Sequence, residues 1–350
     1  MASLDVIVAP ALAPNALIGL ELHFLEKVVT RETPPVALIY TSPGRCVSIG
    51  RYHLYAGTAE KGDVGAYRRL TGGRVAGAGE GWVGFALILP SRTALLKEGA
   101  ARLKPDQIMN RYARGLLAGL RSVGLDCFYP GRDAITFERR ELAMCSFETD
   151  PSGAMLFESM LAMNRGMENL IHDLELIDPD GALPSRMYGS DSATTLVREL
   201  KREVAFDELA DAIAAGYEGL LGETRRRELT ASEMADAERR GRELAASGWL
   251  NDRIALQAGT IKKNRIAAQL GAIEATATLE SDGTISAVTL SGDFIANSSA
   301  VAELETELGG KRLDLGTVSH AVTKAFGQGG NYFLGAGELS NLVRLIAGVN

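Results

Sequence analysis

One stretch constrains this chain more than any other. It reads Arg68-Arg69-Leu70-Thr71-Gly72-Gly73-Arg74-Val75-Ala76-Gly77-Ala78-Gly79-Glu80-Gly81-Trp82. Glycine carries no Cβ, accepts positive φ and leaves N–H groups free to point at an anion. Arginines on both sides of the glycine pair add forked donors suited to phosphate or carboxylate. The apolar run Val83–Leu89 that follows, closed by Pro90, predicts a buried strand. Strand, glycine turn and second strand together bring bare backbone close to an anionic ligand. The competing reading is a glycine-rich β-hairpin with solvated charges, and for Arg68 and Arg69 a structural ion pair.

At 350 residues the chain is more in keeping with two domains than one. A net charge of −7 does not favour nucleic acid as a partner. The cysteines Cys46, Cys127 and Cys145 form no CxxC pair, so neither a metal site nor a disulfide framework is suggested. A reducing cytoplasm fits that usage. Residues 1–14 lack the basic and apolar regions of a signal peptide, and no apolar run approaches the ~20 residues of a membrane span. The histidines His23, His53, His172 and His320 lack metal-ligand spacing, so no metal site is expected; His53 is a candidate for the pocket border.

Apolar spacing predicts a helix capped by Asn15, then strands at 36–40 and 46–51. Asp106 is read as the cap of a second helix that stops at Gly124. Short strands are expected at 127–129 and 134–137, and a further one through 156–163. Residues 138–146 read as a mobile loop leading to a polar turn at Asp150-Pro151-Ser152-Gly153. Helices are expected at 206–221 and 231–247, the second with Thr230 and Glu233 in capping-box spacing. From about Leu256 the pattern becomes alternating strands, with Asp282-Gly283 a strong hairpin signal. A domain boundary is therefore expected near 249–254, between residues 1–250 and 255–350.

Four blocks, in order, resemble the lipoate–protein ligase branch of the biotin/lipoate ligase family. They are Cys46-Val47-Ser48-Ile49-Gly50-Arg51 with His53 beyond it, the Arg68–Arg74 segment, Gly131-Arg132-Asp133-Ala134-Ile135, and Gly292-Asp293-Phe294 with the short helix after it. The resemblance implies an α+β fold with a mixed sheet and flanking helices, as in class II biotin and lipoate ligases. A small C-terminal α/β accessory domain follows. It implies activation of lipoate or octanoate with ATP and Mg²⁺, then transfer to a lysine of a lipoyl carrier domain, such as a 2-oxoacid dehydrogenase E2 or a glycine cleavage H protein. No nucleic acid or membrane partner is implied. Carried over by position, Arg51, His53, Arg68, Arg69, Thr71, Gly72, Gly73, Arg74, Ala78 and Asp133 would line the lipoyl and adenylate site.

Two departures stand out. Ala78 occupies a position where the family commonly has histidine, and Glu141 falls on the family's catalytic lysine. Replacing a cation with an anion ~4 Å from a phosphate turns an attraction of about 4 kcal/mol into a repulsion of similar size, at an effective dielectric near 20. Arg140 is adjacent, yet neighbouring strand residues point to opposite faces, so it would need a shifted register. Relatives that are cysteine-dependent lipoyl or octanoyl amidotransferases suggest Cys127, and less directly Cys145, as a nucleophile. Small buried residues are the commoner role for both. Three functions follow as expectations: a lipoate–protein ligase-like enzyme, a catalytically impaired homologue that binds the lipoyl group or its carrier, and a cysteine acyltransferase.

Overall fold

The computed structural model describes residues 3–94, 104–178, 192–253, 259–327 and 329–348. A seven-stranded sheet forms the centre, in the order β11-β1-β2-β7-β10-β9-β8. Its strands are β1 (Leu4–Ala9), β2 (Val36–Tyr40), β7 (Trp82–Leu89), β8 (Ala134–Phe137), β9 (Arg140–Thr149), β10 (Met155–Ala162) and β11 (Thr224–Arg227). β1 runs parallel to β2 and β11, and the other pairings are antiparallel. β2 and β7 read as unbroken apolar runs because both faces are covered. In β2, Ala37 and Ile39 join the core under α2 (Pro105–Ser122) and α5 (Phe206–Leu221). Val36, Leu38 and Tyr40 join the core under α1 (Pro14–Val29) and α6 (Ala231–Ala246).

The helix starts show which local signals decided. Thr230 and Glu233 form the expected capping box, with Thr230 Oγ1 accepting from the Glu233 N–H at 3.1 Å. Asn15 is not a cap. α1 begins at Pro14, whose fixed φ suits the first helical position, and α2 begins the same way at Pro105.

A second, four-stranded sheet carries the glycine segment. It contains β3 (Arg45–Ile49), β4 (Glu60–Lys61), β5 (Val64–Arg68) and β6 (Ala76–Gly79), in the order β4-β5-β3-β6. β5 and β6 flank β3 on opposite sides, so the segment between them is a crossover loop rather than a hairpin turn. α3 (Met167–Ile177) adds Leu170 and Ile177 to the core of this sheet.

Residues 138–146 are a second correction. From Arg140 onward they form β9, a buried strand of the central sheet. The β8–β9 turn places Glu138 and Arg139 at φ of 46° and 69°. Two-residue hairpin turns with positive φ at both positions are usually signalled by Asn or Gly, and neither is present here. Residues 127–129 contribute only an isolated bridge, Phe128 to Thr136.

α4 (Leu196–Leu200) leads back toward α5. Beyond the 3-10 turn Trp249–Asn251, β12 (Thr260–Ala267), β13 (Ala272–Leu279) and β14 (Ile285–Gly292) form a separate three-stranded sheet. The Asp282-Gly283 turn joins its last two strands. α7 (Ser298–Leu308), α8 (Leu315–Phe326) and α9 (Leu339–Ala347) pack on it, with a two-stranded ribbon of β15 (Ile295–Ala296) and β16 (Phe333–Leu334) beside them. The architecture is therefore α+β, a mixed sheet with flanking helices followed by a small accessory unit. No helix among the described residues is long and apolar enough to cross a membrane.

Candidate active site

The two leading arginines of the glycine segment are buried braces. Arg68 is 0 % exposed and donates to five carbonyls, those of Gly50, Arg51, His53, Trp249 and Leu250, at 2.8–3.2 Å. Burial pulls its guanidinium down to about 10, so it keeps its charge at neutral pH. Arg69 is equally buried. It holds the turn from within, donating to the carbonyls of Ser48, Gly72 and Arg74 and to Thr71 Oγ1. Each such charge-assisted bond contributes about 1.5–3 kcal/mol. These bonds fix the backbone of Thr71, Gly72 and Gly73, and they occupy the donors a ligand would need.

Arg74 is committed differently. Its Nε and Nη2 form a two-pronged pair with Asp133, at 2.7 and 3.1 Å. Nη2 also reaches Glu141 Oε1 at 3.0 Å. Three sequence-predicted residues thus meet in one buried cluster. Burial pushes the Glu141 carboxyl up, and the Arg74 guanidinium pulls it back down. The one cation of the cluster faces two carboxylates and has no charge left for a phosphate. Arg140, the alternative cation, is bound to Glu138 and Glu199 at 3.2 and 2.9 Å.

Beside this cluster the described residues enclose a slit of about 20 Å³, with Val75, Met144 and Ala162 along it and Glu141 at one end. That is room for about one water, where ligand pockets run about 300–1,000 Å³. Trp82 fills the remaining space. Its indole lies on Gly77 so closely that a Cβ there would sit 2.2 Å from Trp82 Cε2. Ala78 faces Cys46 across the β3–β6 ladder and packs in the core.

The accessory unit rests directly on the glycine pair. The Gly73 N–H donates to the Phe294 carbonyl at 2.6 Å, and a Cβ on Gly72 would lie 2.3 Å from that oxygen. Gly73 itself has φ of +85°, a conformation glycine adopts without strain. Tyr52 stacks on Phe294 with centroids 4.3 Å apart, and His53 Nε2 pairs with Asp293 Oδ1 at 3.0 Å, both side chains fully buried. His53 therefore ties the two units together.

Cys127 lies in the core under α2 and α5, and burial pushes its thiol up to about 12. Cys145 is fully buried with its thiol also near 12. Burial disfavours the thiolate of both, and neither cysteine lines the slit or the groove beside Arg51. Among the described residues, no group of three or more His, Cys, Asp or Glu is placed to hold a metal ion.

Among the buried carboxyls that sequence reasoning missed, three lie near the arginines of the expected site. Glu21 on α1 and Glu158 on β10 are 0 % and 1 % exposed and adjoin Arg69. Burial, and then each other's charge in the case of Glu21, pushes them up. Glu21 sits on the apolar stripe of α1, which was the signal available. The third, Glu148, forms part of a groove of about 440 Å³ together with Arg51, Leu70 and Trp249. The Arg51 guanidinium lies 4.0 Å from the Trp249 ring centroid. Among the described residues, Arg51 is a polar residue expected at the site that lines this groove.

No protein-family model matches the sequence, and no curated protein does. Solved structures do. P. falciparum LipL1 in complex with lipoate superposes with a TM-score of 0.70 at 12% identity, covering 99% of this chain and 100% of that one. A bipartite lipoate protein ligase studied with its E2 lipoyl domain, from Thermoplasma acidophilum, gives 0.53 at 14% identity over 74% and 99% of the two chains. Lipoate-protein ligase A bound with ATP gives 0.51 at 14% identity over 71% and 96%. At such identities the likeness establishes the fold: the mixed sheet, its flanking helices and the C-terminal accessory domain.

Proposed function

We propose that this chain is a lipoate–protein ligase-like protein that handles a lipoyl or octanoyl group for a lipoyl carrier domain. The observation that carries the reading is end-to-end similarity of shape to a protein captured with lipoate. The E2 lipoyl domain studied with another protein of this shape points to the same class of partner. ATP, with Mg²⁺ on its phosphates, would be the co-substrate of any adenylation.

The geometry limits how much of that chemistry the chain performs alone. Joining a carboxylate to an α-phosphate gathers negative charge, which needs pre-aimed cations. Arg68 and Arg69 spend their donors on carbonyls, and Arg74 is matched by Asp133 and Glu141. This favours the second reading, a homologue that binds the acyl group or its carrier and adenylates slowly or not at all. The test is pyrophosphate release from ATP with lipoate or octanoate, run beside calorimetry of each acid and of a lipoyl carrier domain. Acid or carrier binding without pyrophosphate supports the binding role. Absence of binding to either acid and to the carrier overturns the acyl-handling reading.

A further inference from the structure

β12 leaves one long edge of the accessory sheet open. Its whole length, Thr260–Ala267, pairs with β13 in an unbroken antiparallel register, and no described strand lies on its other side. The Ala268 N–H donates to the Gly271 carbonyl at 2.7 Å, which makes these two a hydrogen-bonded pair. Backbone direction alternates from there. Ile266, Asn264 and Lys262 turn their N–H and carbonyl groups to β13, and Ile261, Lys263 and Arg265 turn theirs outward. The side chains divide in the same way. Asn264 and Lys262 stand opposite Ala275 and Ala277, on the face that α7, α8 and α9 cover, so Ile261, Lys263 and Arg265 lie on the opposite face. There Lys263 Nζ reaches Glu274 Oε2 at 2.9 Å.

Proteins commonly blunt such an edge with a short strand, a proline or a bulge. β12 has none of these. It carries charge instead: Lys262, Lys263 and Arg265, and no acidic residue, in a chain of net charge −7. A groove of about 310 Å³ between β12 and α9 extends the basic strip. Arg265 and Arg344 line it beside Asn264 and Asn341, with no carboxyl among its described lining residues. Charge of one sign decides which strand can join. A second copy would set these cations against each other, and like charges on paired strands are destabilising. A lipid surface would meet the cations but lacks the alternating N–H and carbonyl groups that the outward backbone requires. Ile261, 43 % exposed, adds an apolar contact to the same row. We propose that β12 takes up an extended acidic segment of a partner protein as a fourth strand, its backbone paired to Ile261, Lys263 and Arg265 and its carboxylates facing the cations of β12. β12 shares no residue with the slit or with the groove beside Arg51, so this surface does not depend on the acyl-handling reading.

The experiment uses the full chain and a short peptide that alternates Val and Glu. One control is the same peptide N-methylated at alternate residues, which cannot pair as a strand, and the other has Lys in place of Glu. In calorimetry the Val-Glu peptide is expected to bind at least tenfold tighter than either control, and to weaken as salt rises. Amide hydrogen exchange should slow at least tenfold at Ile261, Lys263 and Arg265 when it binds, with little change at Lys262 and Asn264, whose N–H groups already bond β13. Lys262→Glu with Arg265→Gln leaves the Lys263–Glu274 pair in place and should weaken the peptide at least tenfold. The exchange pattern of the wild-type protein decides independently of whether that variant folds. Equal binding of the N-methylated peptide, or unchanged exchange at the three outward amides, would overturn the proposal. Self-association that protects the same amides without peptide would assign the edge to a second copy and overturn the acidic partner.

Discussion

Arg74 Nη2 and Glu141 Oε1 stand 3.0 Å apart, and this contact joins the glycine segment to β9. With Asp133 on the same guanidinium, it turns the last arginine of an anion-binding pattern into the centre of an internal ion cluster. Glu141 is thus a structural partner of Arg74.

Removing the cation should be far costlier than removing one anion. Arg74→Met leaves two buried carboxylates without their counter-charge and is expected to destabilise by about 3–5 kcal/mol. Glu141→Gln keeps a hydrogen-bond acceptor and should lose about 1 kcal/mol, within the range of an ordinary hydrogen bond. Urea unfolding midpoints at unchanged m-value measure both. Similar small losses in the two variants would show that the cluster does not act as a buried ion network.

Where the pocket admits lipoate and ATP, Glu141→Lys should raise pyrophosphate release, because it returns a cation to the position that the resemblance assigns to the family's lysine, while Asp133 continues to hold Arg74. Wild-type turnover is expected far below the usual enzyme range of about 1–10³ per second. A wild-type rate inside that range would refute the idea and direct attention to another cation.

Trp82 plugs the slit beside Gly77. Trp82→Ala should cost about 3–5 kcal/mol as a cavity-forming change. Part of that loss should be recovered by an apolar ligand that fills the space, seen as a rise in melting temperature with lipoate or octanoate. A variant destabilised as expected but indifferent to both acids would mean that the slit is packing alone.

The buried carboxyls set the sign of the pH dependence. Glu148 is pushed from its usual range up to about 8, mainly by burial. The folded state then holds a proton that the unfolded state releases above about 4.5. Its contribution to stability is complete below the unfolded value and is lost as pH rises toward 8. The slope for one such group is at most about 1.4 kcal/mol per pH unit. Denaturation between pH 5 and 8.5 should show falling stability, and Glu148→Gln should flatten the curve. A wild-type curve that rises across this window and does not change with Glu148→Gln would rule this out.

Much of the framework was legible in the residues. The capping box at Thr230 and Glu233, the Asp282-Gly283 turn and the run Val83–Leu89 each carry a local signal strong enough to survive folding. The β8–β9 hairpin was not legible, because Glu138 and Arg139 adopt positive φ without glycine or asparagine to announce it. Nor was the crossover through β3, since strand order depends on contacts between residues far apart in the chain.

The class of fold was carried by four blocks that resemble a known family; the sequence by itself determined the apolar faces that build its layers and the supply of arginines and glycines at one place. Those follow from periodicity and from backbone conformations that act over a few residues. Only the tertiary structure decided what the charges do. Whether Arg68 meets five carbonyls or a phosphate, and whether Arg74 is free or held by Asp133 and Glu141, depends on distances of a few ångströms between distant segments. Electrostatic energy falls with that distance and with the water removed around it, and neither can be read from residue order.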